Sequence, residues 1–490
     1  MLTIKPTGIH GYQLLHEGML VLSEMERNGL HVDIDYCKKQ EAHLARRISH
    51  LQKKFEHSDL AKKWKSVYKG NFKMSSNQQL ADILFNHLGY EPKILTAKNA
   101  PSTKEAALEQ VDNPDLADIM LHRKLSKLLS TYLRGYIREQ VDGYIHPIYN
   151  LHLIVTYRSS CDHPNIQNAP ARIPMSKKLI RKAIIPRPGR VLVEIDYSGV
   201  EVRVATCYHR DPNMVQEILD PTRDMHRDMA MECFLLEDED WIKNDMAKLL
   251  RYCGKNKFVF PQFYGDYYIP CARALWDAIH LMGLTTPAGI PMMEHLKSKG
   301  IRNYKKFENH LKSVEECFWG ERFPVYAKWR EDIVKWYHKH GYVDTFTGFR
   351  LRGIMSKNDV TNYPVQGAAF HCLLWSLVQM NQWLKREKLD SLLVGEIHDS
   401  MILDCVVDEI PAIIGAAQTI MCEKIVAEWP WITVPLEIET EMTPIDGSWD
   451  TKREVHENFC GECGFDYRWK KPVENGTMWE CPVCRATEIK

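Results

Sequence analysis

The stretch Val191-Leu192-Val193-Glu194-Ile195-Asp196-Tyr197-Ser198-Gly199-Val200-Glu201-Val202-Arg203 decides how this chain is read. Its opening residues are β-branched and aliphatic and follow a Pro and Gly turn, so they predict a buried strand that delivers Asp196 at its end. A second pattern lies far downstream. Leu392 to Ile397 and then Met401 to Leu403 predict a hairpin with His398-Asp399 at its turn. Taken singly, either Asp reads first as a solvated turn residue. Taken together, two strand-end carboxylates can meet in one sheet.

Outward from these strands the pattern is mostly helical. Leu20, Leu22, Met25, Leu30 and Val32, then Leu44, Ile48 and Leu51, recur at helical spacing with a turn at Asn28-Gly29, which predicts two helices flanking a short extended piece. Ser75-Ser76-Asn77 caps a further helix that ends at Gly89. A polar loop from Lys93 to Lys104 leads into a helix carrying Arg123, Lys124 and Lys127 as far as Tyr132, giving a helical arm with basic tips. Tyr144 to Val155 reads as sheet, and residues 212 to 340 return to helical patterning.

A chain of 490 residues is too long for one core and implies two to four compact units. Its 44% hydrophobic and 26% charged residues exclude wholesale disorder, and no apolar run suggests a membrane span. The N-terminus lacks the residue order of a signal peptide, so a cytoplasmic location and no membrane partner are expected. The 64 basic and 64 acidic residues cancel, so attraction for nucleic acid has to come from a charge-segregated surface. Ten of the 14 cysteines are scattered, which fits free thiols in a reducing compartment rather than a disulfide framework.

The other four cysteines form Cys460-x2-Cys463-x17-Cys481-x2-Cys484, the spacing of two knuckles closing one structural zinc site. Between them, Tyr467-Arg468-Trp469-Lys470-Lys471 suits either nucleic-acid stacking or the small core of a ribbon with a basic edge.

Strand-end carboxylates such as Asp196 and Asp399 suit two magnesium ions that bridge a nucleotide's phosphates, one activating the attacking oxygen and one stabilising the leaving group. Asp196-Tyr197-Ser198-Gly199-Val200-Glu201-Val202-Arg203 resembles motif A of family A DNA polymerases, the class of bacterial DNA polymerase I. Motif C is matched by Ile397-His398-Asp399-Ser400. Further similarity lies in Thr156 to Ser160, Pro164 to Asn168, Arg210 to Asn213, Asp224-Met225-His226, Gly341 to Thr345 and Asn362 to Gly367, and in the arm in Lys124 to Leu128 and Ser130 to Tyr132. The resemblance runs collinearly over roughly residues 12 to 450.

Arg251 to Lys255 and Phe260 to Gly265 resemble motif B, with Lys255 and Phe260 five residues apart where the family has four. A π-bulge absorbs the extra residue and keeps Phe260 on the functional face; without it, Val259 and Phe263 would take that face. The resemblance implies that Arg251, Lys255 and His226 serve the triphosphate, that Phe260 and Tyr264 bound the sugar and template base, and that Glu201 blocks a 2′-hydroxyl. Arg158, Gln167, Asn168, Asn362, Gln366 and His398 inherit primer-template contacts, with Arg158 and Gln366 reading the minor-groove side of the terminal pair.

What the resemblance implies is an α+β multidomain chain with a right-hand polymerase fold, comprising an antiparallel-sheet palm, helical thumb and helical fingers, plus a small zinc ribbon. Expected boundaries are 1–142 for N-terminal helices and thumb, 143–211 and 358–452 for the palm, 212–357 for the fingers and 458–490 for the ribbon. The expected reaction is templated addition of deoxynucleoside triphosphates to a primer 3′-hydroxyl, with two magnesium ions and one zinc ion as cofactors. The matching region begins almost at Met1, so no 3′ to 5′ exonuclease is expected in this chain, leaving room for a separate exonuclease, helicase or processivity factor as partner. Gly199 replaces a usual Gln, Tyr157 a usual Gly, and Asn358 a common Arg. Ser400 stands where the family usually has Glu and is reminiscent of single-subunit RNA polymerases, whereas Glu201 argues for DNA synthesis. A catalytically silent nucleic-acid-binding factor is the other rival, and both metal-site Asp residues speak against it.

Overall fold

The computed structural model describes residues 8–489 apart from 97, 172, 459, 474 and 475, so residues 1–7 of the N-terminal stretch read above lie outside it. Eight strands form one antiparallel sheet: β1 (Val191–Tyr197), β2 (Leu392–Ile397), β3 (Ser400–Cys405), β4 (Ile438–Met442), β5 (Arg453–Glu457), β6 (Tyr467–Val473), β7 (Gly476–Glu480) and β8 (Thr487–Ile489). Their spatial order is β8-β7-β6-β5-β4-β1-β3-β2, which puts the deciding stretch between β4 and β3.

Alternation along β1 separates two faces. Val191, Val193, Ile195 and Tyr197 are all buried, and the Tyr197 hydroxyl hydrogen-bonds Ser376 Oγ at 2.9 Å and donates to the Met421 carbonyl at 3.1 Å. Glu194 and Asp196 therefore point to the opposite face. The underside is covered by the long helix Lys357–Arg386, which starts on a Ser356-Asp359 capping box. Gly18 of the helix Gly8–Asn28 lets that helix lie directly on it, because a Cβ there would stand 2.7 Å from Leu374.

The two expected N-terminal helices are Gly8–Asn28 and Ile34–Glu56, joined through the short strand Leu30–His31 and capped by Asp33. Phe55, Trp64, Leu80, Leu84 and Ile119 build a separate small core in the arm, where Ser76 caps Asn77–Ala81. The arm's last helix runs past Tyr132, from Leu116 through a π-turn to Glu139. A third apolar core, with Phe258, Phe307, Phe318 and Phe323 fully buried, lies in the helical region that follows β1. Buried Asp211 ties the two ends of that region to each other by accepting from Asn213 and Met214 at the start of the helix Pro212–Leu219 and from Val325 and Tyr326 at the start of the helix Pro324–His340.

Two expectations are corrected. Only Tyr144–Ile145 and Ile148–Asn150 of the expected 144–155 sheet are strands; His152 to Val155 are exposed and pair with no strand among the described residues, so β propensity has nothing to pair with. The expectation of no span-length apolar run meets Val407–Glu428, a helical stretch of 22 residues with mean hydropathy 1.4. Its Ile410, Ile413, Ala417, Ile420, Met421 and Ile425 pack into the main core, as one face of a core helix does. The tail adds a feature that carries no expectation: β5 pairs with β4 on one side and β6 on the other, so the cysteine-rich hairpins extend the central sheet.

Candidate active site

Asp196, the penultimate residue of β1, lies in register with Ser400, the first residue of β3, and so beside Asp399 at the hairpin tip. The Tyr197 amide donates to the Asp399 carbonyl at 3.2 Å, which pins the turn to the end of β1. His398 takes a left-handed φ of 62°, which the two-residue turn demands. Burial pushes both carboxyls above the usual range, and the charge of Asp399 then raises Asp196 further, as that of Glu201 raises Asp399. Asp196 Oδ1 is buried with no hydrogen-bond partner among the described residues. A divalent cation would supply that partner and relieve the repulsion, so the donor set fits metal binding.

Above this edge lies a cavity of about 480 Å³ lined by Arg158, Glu201, Phe260, Tyr264, Asn362, Gln366, His398 and Asp399. Eight of the residues expected from the sequence thus share one wall. The Tyr264 hydroxyl donates to Glu201 Oε2 at 2.6 Å and Arg158 Nη1 to Oε1 at 3.1 Å, while Asn362 Nδ2 donates to the Tyr264 carbonyl at 3.0 Å. Glu201 sits in the first turn of Val200–His209, which Gly199 opens at a φ of 61°. Tyr157 holds a φ of 56°, a conformation glycine adopts without strain, in line with the residue usual there.

The motif B register is resolved by a π-turn, Lys255–Val259, between the helices Asp245–Gly254 and Phe260–Tyr264. Val259 is fully buried, whereas Phe260 lines the cavity, packs against His226 and Tyr264, and carries the Lys255 ammonium 5.0 Å from its ring centre. Arg251 is not in this cavity. Its Nε donates to Asp224 at 2.6 Å, and with His226 it lines a neighbouring cavity of about 890 Å³. Burial lowers His226 to about 4, with Lys255 and Arg251 adding to the effect.

Gln167 and Asn168 fall in a third and larger space, about 1610 Å³ between the arm and the sheet, walled also by Lys104, Arg123, Lys124, Lys127 and His398. Gln167 Nε2 donates to Ser159 Oγ at 2.8 Å and to Glu396 Oε1 at 2.7 Å. Glu396 is fully buried and pushed up to about 7 by burial. Sequence reading passed over Glu396 and Glu194, although each interrupts an apolar strand close to a site Asp, which is the signal that marks them.

In the tail, one sulfur atom from each of Cys460, Cys463, Cys481 and Cys484 lies within 4.8 Å of the others. The Cys460–Cys484 and Cys463–Cys481 sulfurs are 3.6 Å apart, far from the ~2.05 Å of a disulfide and close to the roughly 3.8 Å edge of a tetrahedron with ~2.3 Å metal–sulfur bonds. The basic aromatic run is largely core: Arg468 and Trp469 are buried, with the Arg453 guanidinium 3.8 Å over the Trp469 ring. Lys470 and Lys471 alone of that run are exposed.

Comparison with known proteins agrees with this geometry. The sequence profile of DNA polymerase family A matches residues 34–266 and 312–450. The DNA polymerase of Bacillus phage SP01 is 26% identical over 462 residues, covering 82% of this chain and 46% of the phage protein. DNA polymerase I of Chloroflexus aurantiacus is 27% identical over 451 residues, covering 88% and 42%. The chain thus spans less than half the length of these relatives. Among solved structures, the POL domain of Pol1 from M. smegmatis, in complex with DNA primer-template and dNTP, superposes with a TM-score of 0.69 at 22% identity, covering 89% of this chain and 70% of that one. With its fold and most of its length matched, the chain belongs to DNA polymerase family A.

Proposed function

We propose that this chain is a template-directed DNA polymerase that joins deoxynucleotides to a primer 3′-hydroxyl. The observation that carries the reading is the convergence of Asp196 and Asp399 at one end of the sheet, beside a cavity walled by Glu201, Phe260 and Tyr264. Asp196 and Asp399 would hold two magnesium ions, which supply Lewis-acid activation of the attacking hydroxyl and charge neutralisation of the departing pyrophosphate.

The protein's own share is positioning and electrostatics. Lys255 and Arg251 neutralise the triphosphate, Arg251 exchanging its Asp224 partner for phosphate. Phe260 packs on the nucleotide sugar and base. Glu201, held from two sides by Arg158 and Tyr264, closes the space a 2′-hydroxyl would need. Arg158 and Gln366 read the terminal pair; the arm's Lys104, Lys124 and Lys127 meet the duplex backbone across the larger cleft, where phosphate contacts fix register without reading sequence. The arm to residue 142 acts as thumb, 143–211 and 358–452 as palm, 212–357 as fingers and 458–490 as a zinc-bound extension of the palm sheet.

One second reading has a specific observation behind it: Ser400 in motif C favours ribonucleotide polymerisation. Primer extension with magnesium and either deoxy- or ribonucleoside triphosphates separates the two. Preferential use of deoxynucleotides is expected; preferential use of ribonucleotides would assign the chain to RNA synthesis.

A further inference from the structure

Glu194 is two residues before Asp196 on β1 and therefore on the same face of the sheet, with Ser400 reaching it from β3. Its side chain is only 12% exposed. Oxygen Oε2 is well served, accepting from Trp449 Nε1 at 2.7 Å and pairing with the Lys452 ammonium at 2.5 Å. Oxygen Oε1 is not. Its hydrogen bond is a long one of 3.3 Å from Ser400 Oγ, and that hydroxyl has one proton to divide between Glu194 and the Ile397 carbonyl at 3.1 Å.

An under-bonded oxygen on Glu194 and the orphaned Oδ1 of Asp196 thus share one sheet face. Two divalent ions carry more charge than two carboxylates neutralise, so a third carboxylate here has an electrostatic reason to exist. The Trp449 hydrogen bond and the Lys452 pair both use Oε2 and leave Oε1 without a role, and a buried Lys452–Glu pair contributes little over an apolar pair of the same volume.

We propose that Glu194 is the third carboxylate of the metal-binding face, acting from β1 because Ser400 offers none from β3. Lys452, in the link between β4 and β5, also pairs with Glu441 and holds Glu194 in place until a cation competes for it. This rests on the two-metal reading above, and the test separates the two.

The measurement is binding of manganese(II) to the full chain without nucleotide or DNA, read from the free-ion electron paramagnetic resonance signal. Glu194→Gln is expected to weaken binding about tenfold, Asp196→Asn at least as much, and Glu194→Gln combined with Ser400→Glu to restore it to within about threefold of wild type, a rescue that a purely structural role would not give. Ser400→Glu alone, which leaves the Lys452 pair intact, is expected to change affinity by less than about twofold because the place is already filled. Loss of binding in Asp196→Asn but not in Glu194→Gln, or a tenfold gain in Ser400→Glu alone, overturns the role of Glu194 and leaves the metal site standing. Unchanged binding in both Asp196→Asn and Glu194→Gln overturns the metal-site reading beneath it.

Discussion

The Tyr264 hydroxyl donates a 2.6 Å hydrogen bond to Glu201, and the same carboxylate takes a 3.1 Å bond from Arg158. The helix that ends at Tyr264 and the segment that carries Arg158 therefore hold one acidic side chain between them at the wall of the cavity beside Asp399. Fixing a charged group costs side-chain entropy, and doing so at a cavity wall makes it a rigid shape rather than a mobile one.

Because the wall is rigid, removing it should matter for sugar selection. Glu201→Ala is expected to raise ribonucleotide insertion relative to deoxynucleotide insertion by about 10- to 100-fold, the scale of a pocket's discrimination over a few atoms. Tyr264→Phe, which keeps Glu201 and loses one of its two anchors, should give a smaller rise in the same direction. Ratios of kcat/KM for the two sugars are the readout, and an unchanged ratio in Glu201→Ala would dismiss the wall.

The π-turn makes a paired prediction at adjacent positions. Val259 is fully buried, so Val259→Ala should lower unfolding free energy by about 1–2 kcal/mol with nucleotide KM little changed. Phe260→Ala should do the reverse, raising KM about tenfold or more through lost contact with the nucleotide. If the two effects fall on the opposite residues, the register is the unbulged one.

Glu396 makes stability depend on pH in a direction of its own. Its folded-state carboxyl is raised from 4.5 to about 7, so between those values the unfolded chain is ionised while the folded chain keeps its proton. The folded state then binds more protons, and this group's effect is a loss of stability as pH rises from about 4.5 to about 7, complete above it. Glu396→Gln keeps an acceptor for Ser159 and Gln167 and never ionises. Relative to wild type it should gain on the order of 3 kcal/mol between pH 5 and pH 8, seen as a melting temperature that rises only at the higher pH.

Four thiolates within 4.8 Å should hold one metal ion per chain. Zinc is expected by elemental analysis at one per chain, and cobalt substitution should give the intense visible bands of tetrahedral thiolate coordination. Because β5 belongs to both the cysteine hairpins and the central sheet, Cys463→Ser should reduce zinc content and also loosen β4 and β5 in amide hydrogen exchange. Protection of β4 that is indifferent to the substitution would show the two parts to be mechanically independent.

Much of this architecture is legible in the chain itself. The apolar run before Asp196 and the Leu392 to Leu403 pattern give the two strands, and the extra residue between Lys255 and Phe260 gives the π-turn, because side-chain periodicity is a local property. The 151–155 segment misleads for a reason of the same kind: its propensity is local, whereas a strand needs a partner, and pairing is not. Glu194 and Glu396 escape notice because a Glu in a strand reads as a solvent-facing residue until the neighbouring strands are known. The fusion of the cysteine hairpins to the central sheet is likewise invisible from spacing, since β5 is only five residues long and its two partners lie on either side of it in sequence.

The central claim is that Asp196 and Asp399 form a metal-dependent templated synthesis site, and single-nucleotide primer extension over all template and nucleotide combinations tests it most directly. With magnesium, the wild-type chain should add the complementary deoxynucleotide opposite each template base, and Asp196→Ala and Asp399→Ala should each slow that addition by roughly 10³ or more, the rate equivalent of losing several kcal/mol of metal-borne stabilisation. Extension by the wild type that ignores the template base, or equal extension by the wild type and both alanine variants, would contradict it.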